Sequence, residues 1–186
     1  DTYRLRHRLH DGRWSKEVTR EVFERGHAVA VIPYDPALDR VVFIEQFRIG
    51  AYAARQSRWF ADDVSPWLIE VIAGIIEPGE DPAEVAVRET VEECGLNLSE
   101  LIPVSHYLAS PGGTSESVFL FCGRVDASDV GGLHGIADEG EDIRPFTLPF
   151  SDALDWLNAG RMANAASIIA LQWLALNRDA VRKKWR

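Results

Sequence analysis

The chain has 186 residues, 46% of them hydrophobic and 26% charged, enough for one domain with a full core. A net charge of −9 argues against a nucleic-acid footprint, which needs a basic face. No apolar run approaches the ~20 residues of a membrane span, no secretory signal pattern is present, and two cysteines are too few for a disulfide framework.

In chain order, residues 3–10 alternate, with Tyr3, Leu5, His7 and Leu9 on one side and Arg4, Arg6 and Arg8 on the other, which predicts a strand. Asp11-Gly12 is a hairpin turn, and the return strand covers residues 17–22. Residues 1–24 therefore read as a two-strand arm ahead of a main domain over 25–186. Residues 27–34 form an apolar, β-branched strand, 35–39 a turn and 41–48 the next strand. Residues 51–66 lack periodicity and read as a surface loop. A short strand over 67–72 leads into the stretch that organises the chain, residues 74–96.

That stretch carries a helix with its own punctuation. Asp81-Pro82-Ala83-Glu84 is a capping box with Asp81 as N-cap and Pro82 at the first helical position, and Gly95 suits the residue that ends the helix. At 100° per residue, Ala83, Ala86, Val87, Thr90, Val91 and Cys94 gather toward a core, with Arg88, Glu89, Glu92 and Glu93 on the other arc. Clustered carboxylates repel one another and give a structural helix little. A divalent cation reverses the sign of that effect, because hard oxygen ligands suit Mg²⁺ or Mn²⁺. The alternative is a solvated acidic face.

Beyond the helix, residues 101–109 and 118–125 read as strands flanking the turn Ser110-Pro111-Gly112-Gly113-Thr114-Ser115-Glu116. A Gly-rich acidic loop, 131–142, precedes a strand at 143–148. Ser151 is expected to cap a helix ended by Gly160, and Asn164 a long, apolar final helix. The five histidines show no ligand spacing and read as structural, and no serine has a base evident in the sequence. Strands interleaved with three helices give an α/β (α+β) chain.

Gly74, then Glu80, then Arg88-Glu89-Thr90-Val91-Glu92-Glu93-Cys94-Gly95-Leu96 resembles the Nudix box of the Nudix hydrolase family. All seven of its fixed polar or glycine positions are matched; Thr90 stands where the family usually has an aliphatic residue. Pro111, 15 residues beyond Leu96, and the stretches ERGHAVAVIPYDP, LASPGGTSE and GLHGIADEGEDIR resemble the ADP-ribose pyrophosphatase branch. The resemblance implies an α/β/α sandwich with a mixed sheet. It implies Mg²⁺-dependent hydrolysis (Mn²⁺ being the other candidate ion) of ADP-ribose to AMP and ribose 5-phosphate, with more than one ion per site. Metal ligands would be Glu89, Glu93, the carbonyl of Ala73 and Glu141. Arg88 would orient the carboxylates, with Glu92 an outer ligand or held by Arg88, and Glu139 would be the general base on a mobile loop. Arg20, Glu21, Arg48, Gly112, Gly113 and Glu116 would contact substrate, and an adenine-stacking aromatic would fall upstream of Asp1. A cytoplasmic homodimer with exchanged arms completes the expectation, the final helix being buried in the domain or at the dimer contact. Three alternatives stay open: hydrolysis of GDP-mannose or a dinucleotide, a non-catalytic ADP-ribose sensor, and a hydrolase of damaged nucleoside triphosphates.

Overall fold

The computed structural model describes residues 1–57, 59, 65–136 and 140–185. Among them are nine strands: β1 (Thr2–Leu5), β2 (Val18–Glu21), β3 (His27–Asp35), β4 (Arg40–Phe47), β5 (Trp67–Glu70), β6 (Ile72–Ile76), β7 (Glu100–Leu108), β8 (Ser117–Arg124) and β9 (Ile143–Pro149). The helices are α1 (Ile49–Ala54), α2 (Pro82–Cys94), α3 (Phe150–Asn158) and α4 (Ala165–Lys184). None of them is long and apolar enough to cross a membrane.

β1 and β2 form the arm, an antiparallel pair with Thr2 opposite Glu21 and Leu5 opposite Val18. The first strand stops earlier than the alternation suggests, because beyond Leu5 the hairpin narrows to a single bridge, Arg8 to Trp14. Gly12 takes the left-handed conformation the turn requires.

The other seven strands make one mixed sheet. β3 pairs β8 in parallel along one edge. Its other edge is shared, pairing β6 over residues 27–31 and β4 only at Tyr34 and Asp35. β4 then diverges to pair β5 on that side and β9 on the other. The sheet is thus split between β3 and β4, and β5 and β6 fill the split. The single strand expected over 67–72 is two strands, because the N–H of Val71 leaves the ladder and donates to Ser167 Oγ of α4 at 2.9 Å.

Alternate residues of β3 face opposite layers. Ala30, Ile32 and Tyr34 pack with Leu171, Leu174 and Ala153 of α4 and α3, and Val29 and Val31 pack with Val85, Ala86 and Cys94 of α2. Helices on both faces of a mixed sheet are the α/β/α sandwich expected. Both faces being buried, β3 reads as a continuous apolar run.

Two helix expectations need correction. Residues 49–54 are helical, not loop; Ala51, Ala53 and Ala54 favour the helix, and the Phe47 and Tyr52 rings meet across its start. α3 begins at Phe150 after Pro149, and the Ser151 hydroxyl turns to Asp152 instead of capping. Asn164 does cap α4, accepting from the Ser167 N–H.

Candidate active site

α2 is built as its residues dictate. The Asp81 carboxylate accepts from the N–H groups of Ala83 and Glu84, and Gly95 ends the helix in the left-handed region. Its buried face is rotated from the one expected. Val87 and Val91 are 39% and 44% exposed, whereas Val85 is buried and Glu93 is only 4% exposed. The rotation brings two carboxylates, Glu89 and Glu93, against the sheet.

Their partners come from β6. Glu93 Oε2 accepts from the Ala73 N–H at 3.1 Å, so the contact Ala73 makes is through its nitrogen. Gly74 lies under Glu89, where a Cβ would overlap the carboxylate. Burial pushes the Glu93 carboxyl up to about 8, with the Ala73 N–H opposing the shift and the Glu89 charge adding to it. Burial likewise pushes Glu89 up to about 7, opposed by Arg88 and reinforced by Glu92.

Arg88 ties the exposed rim together. Its Nη1 lies 2.9 Å from both Glu89 Oε1 and Glu92 Oε2, and its Nη2 lies 3.8 Å from Glu80. Glu92 is therefore held by Arg88. Partial burial works against the charge of Arg88, but Glu89, Glu92 and Glu80 outweigh it and raise its pKa.

The acidic loop docks on this helix. Gly135 N–H approaches the Glu92 carbonyl at 3.4 Å, and a Cβ at Gly95 would meet the His134 ring at 3.0 Å. Glu141 Oε2 accepts from the Ile136 N–H at 3.0 Å, and its charge raises both Glu89 and Glu93. Glu139 lies outside the described residues.

The expected substrate contacts scatter. Arg48 donates through Nε to Glu70 Oε2 at 2.7 Å, and Asn164 donates to Glu70 Oε1, also at 2.7 Å. Glu70 is 2% exposed, and sequence reasoning missed it. Of its partners, Asn164 carried a sequence signal as a cap and Arg48 as an expected substrate contact. In the turn after β7, the Gly113 N–H is taken by Ser110 O, and its carbonyl accepts from Phe23. Gly113 therefore does not offer its N–H to a ligand. Glu116 pairs Arg25 at 3.6 Å. Arg20 and Glu21 lie exposed on β2, Arg20 bonding the adjacent Thr19 carbonyl, and no described hydrogen bond or ion pair joins either to α2.

Among the described residues, no three His, Cys, Asp or Glu side chains converge as a preformed metal site. The chemistry of Glu89 and Glu93 nevertheless fits a divalent cation. Both are oxygen donors pushed toward the neutral form by burial, and the residue beneath Glu89 is a glycine where any side chain would displace it.

The α/β/α sandwich thus sets two carboxylates of one helix, Glu89 and Glu93, against Gly74 and Ala73 of β6. The chain belongs to the NUDIX domain family, whose model matches residues 24–171. It is 49% identical to a protein of Escherichia coli strain K12 named ADP-ribose pyrophosphatase, over all of this chain and 85% of that one. It is 33% identical to the GDP-mannose pyrophosphatase of Cronobacter sakazakii, over 84% of this chain and 78% of that one. A crystal structure described as an ADP compounds hydrolase shares the fold, with a TM-score of 0.67 at 20% identity over 97% of this chain and 88% of that one.

Proposed function

We propose that this chain hydrolyses the diphosphate of ADP-ribose to AMP and ribose 5-phosphate with Mg²⁺. The observation that carries the reaction class is the pair Glu89 and Glu93, set against Gly74 and Ala73 of β6, with Glu93 buried. The substrate rests on similarity: identity to the protein named for ADP-ribose is 49%, against 33% for the one named for GDP-mannose. A sensor without catalysis is disfavoured because every box carboxylate is present.

Glu89, Glu93, the Ala73 carbonyl and Glu141 would hold the cations. Bound there, the cations would supply positive charge to the diphosphate. Arg88 holds Glu89 and Glu92 in place. Glu139 takes the proton of the attacking water; upstream of it, Gly135 and His134 lie against the C-terminal end of α2. Arg48, fixed by Glu70, reaches the diphosphate. Gly112, Glu116, Arg20 and Glu21 serve the rest of the substrate, the last two from the arm of a second copy. Tyr3, Leu5, Trp14 and Phe23 are exposed around that arm, which supports exchange in a homodimer. Buried thiols at Cys94 and Cys122, both pushed up to about 12 by burial, suit a reducing cytoplasm.

The test is product analysis with Mg²⁺ on ADP-ribose, GDP-mannose, NADH and a nucleoside triphosphate. ADP-ribose should be among the better substrates; its absence from them defeats the reading.

A further inference from the structure

Three side chains outside the box form a row across the α2 face of the sheet. His106 Nε2 on β7 lies 2.8 Å from Ser117 Oγ on β8, and Ser117 Oγ lies 2.9 Å from His27 Nδ1 on β3. The Ser117 backbone N–H also points at His27 Nδ1, at 3.3 Å.

Those contacts fix the protons. A backbone N–H only donates, so Nδ1 of His27 accepts and the proton of the neutral ring sits on Nε2. Ser117 has one hydroxyl proton. Given to His27 Nδ1, it leaves the oxygen to accept from His106 Nε2–H; given to His106, it would set two lone pairs face to face at 2.9 Å. The His106 ring is stacked on Phe119, with centroids 3.8 Å apart and planes 11° from parallel. The row therefore runs His106 N–H to Ser117 O–H to His27 Nδ1, and His27 Nε2–H is a committed donor on an exposed ring.

The register places His27 on the face of the sheet that carries the acids. Val29 is opposite Gly74 and His27 opposite Ile76. Alternate residues share a face, so His27 stands on the face of the sheet that carries Glu89, about 7 Å along the strand from the Val29–Gly74 pair. Among the described residues, nothing accepts from Nε2. Carboxylates repel an anionic ligand, whereas an N–H donor on the same face attracts one.

We propose that His27 Nε2–H donates to an anionic oxygen of the diphosphate substrate, with Ser117 and His106 as positioning residues. The inference rests on the diphosphate-hydrolase reading above.

Imidazole ¹⁵N NMR on the full-length, metal-free protein tests it directly. His27 should show the Nε2–H tautomer, and its Nε2 signal should move on adding inorganic pyrophosphate and on adding ADP-ribose. With Mg²⁺, His27→Asn should raise KM for ADP-ribose by about tenfold or more, with kcat within about threefold. His27→Gln, whose amide nitrogen reaches the place of Nε2, should recover most of the loss. Ser117→Ala should raise KM and Ser117→Thr restore it. His27 is exposed, so its variants keep the core, and their melting curves verify this. An Nδ1–H tautomer, an Nε2 signal that ignores both ligands, or an unchanged KM in His27→Asn overturns the proposal. If the wild type leaves ADP-ribose intact while pyrophosphate still moves His27 Nε2, the ADP-ribose reading falls and the donor role stands.

Discussion

Gly74 and the Glu89 carboxylate occupy each other's space: any Cβ at position 74 would overlap Cδ and Oε1 of Glu89. The φ of Gly74 lies outside the left-handed region, so the constraint is steric and not conformational. Gly74→Ala should displace Glu89 by about an ångström and cut turnover by about 10²-fold. Gly50→Ala, in open space, should be neutral. Steady-state kinetics with Mg²⁺ compares the two, and full activity in Gly74→Ala would refute the tight fit.

Glu89 and Glu93 make a pH prediction for the protein without divalent cation. Both folded pKa values, about 7 for Glu89 and about 8 for Glu93, lie above the ordinary carboxylate value. Between that value and the folded ones, the native state holds more protons than the unfolded chain. Stability should therefore be greatest at the acidic end of this window and fall as pH rises through 7 to 8. Glu93→Gln should flatten the fall and raise the melting temperature at pH 8, by about 2–4 °C per kcal/mol relieved. Thermal melts in chelator across the window give the slope, and a rising slope contradicts the burial argument.

Arg88 touches three acids: Glu80, Glu89 and Glu92. A lysine keeps the charge but not the fork that reaches several oxygens. Arg88→Lys should weaken cation binding by roughly 10- to 100-fold, as residues supporting metal ligands do. Calorimetric titration with Mg²⁺ reads the affinity.

The proposed base predicts a different signature. Glu139→Gln should lower kcat by about 10²-fold or more while cation binding is retained. A near-normal rate moves the base into the box.

At the far end of the sheet, Asp39 holds a left-handed backbone with φ 56 and bonds Arg178 and Tyr34. The Arg178 hydrogen bond is the main reason the Asp39 carboxyl lies below its usual range. Asp39→Ala keeps a Cβ in a region that disfavours it and strips both partners, which should cost about 2–3 kcal/mol. Asp39→Gly should cost less. Urea unfolding orders the two variants.

Much of α2 was legible because its signals are local. Asp81, Pro82 and Gly95 act within a few residues of themselves. The acids were legible as a cluster, but their burial was not. Angular spacing alone put Val87 and Val91 inward, whereas the helix turns Glu89 and Glu93 toward β6, trading two valines for two acids. The break at Val71 was hidden because its cause, Ser167, lies 96 residues away. Glu70 was hidden similarly, its partners Arg48 and Asn164 standing at the N-caps of α1 and α4. The His27 row was missed because three elements contribute one residue each and no spacing along the chain links them.

The start of α4 has a reach its position in the sequence conceals. Asn164 caps that helix and at the same time grips Glu70, which grips Arg48, while Ser167 one turn later takes the N–H of Val71 where β5 gives way to β6. The helix on one side of the sheet thus sets the strand break that leads into the residues beneath Glu89 and Glu93 on the other. A change that shifts its first turn would register as misaligned catalysis before it registered as lost stability.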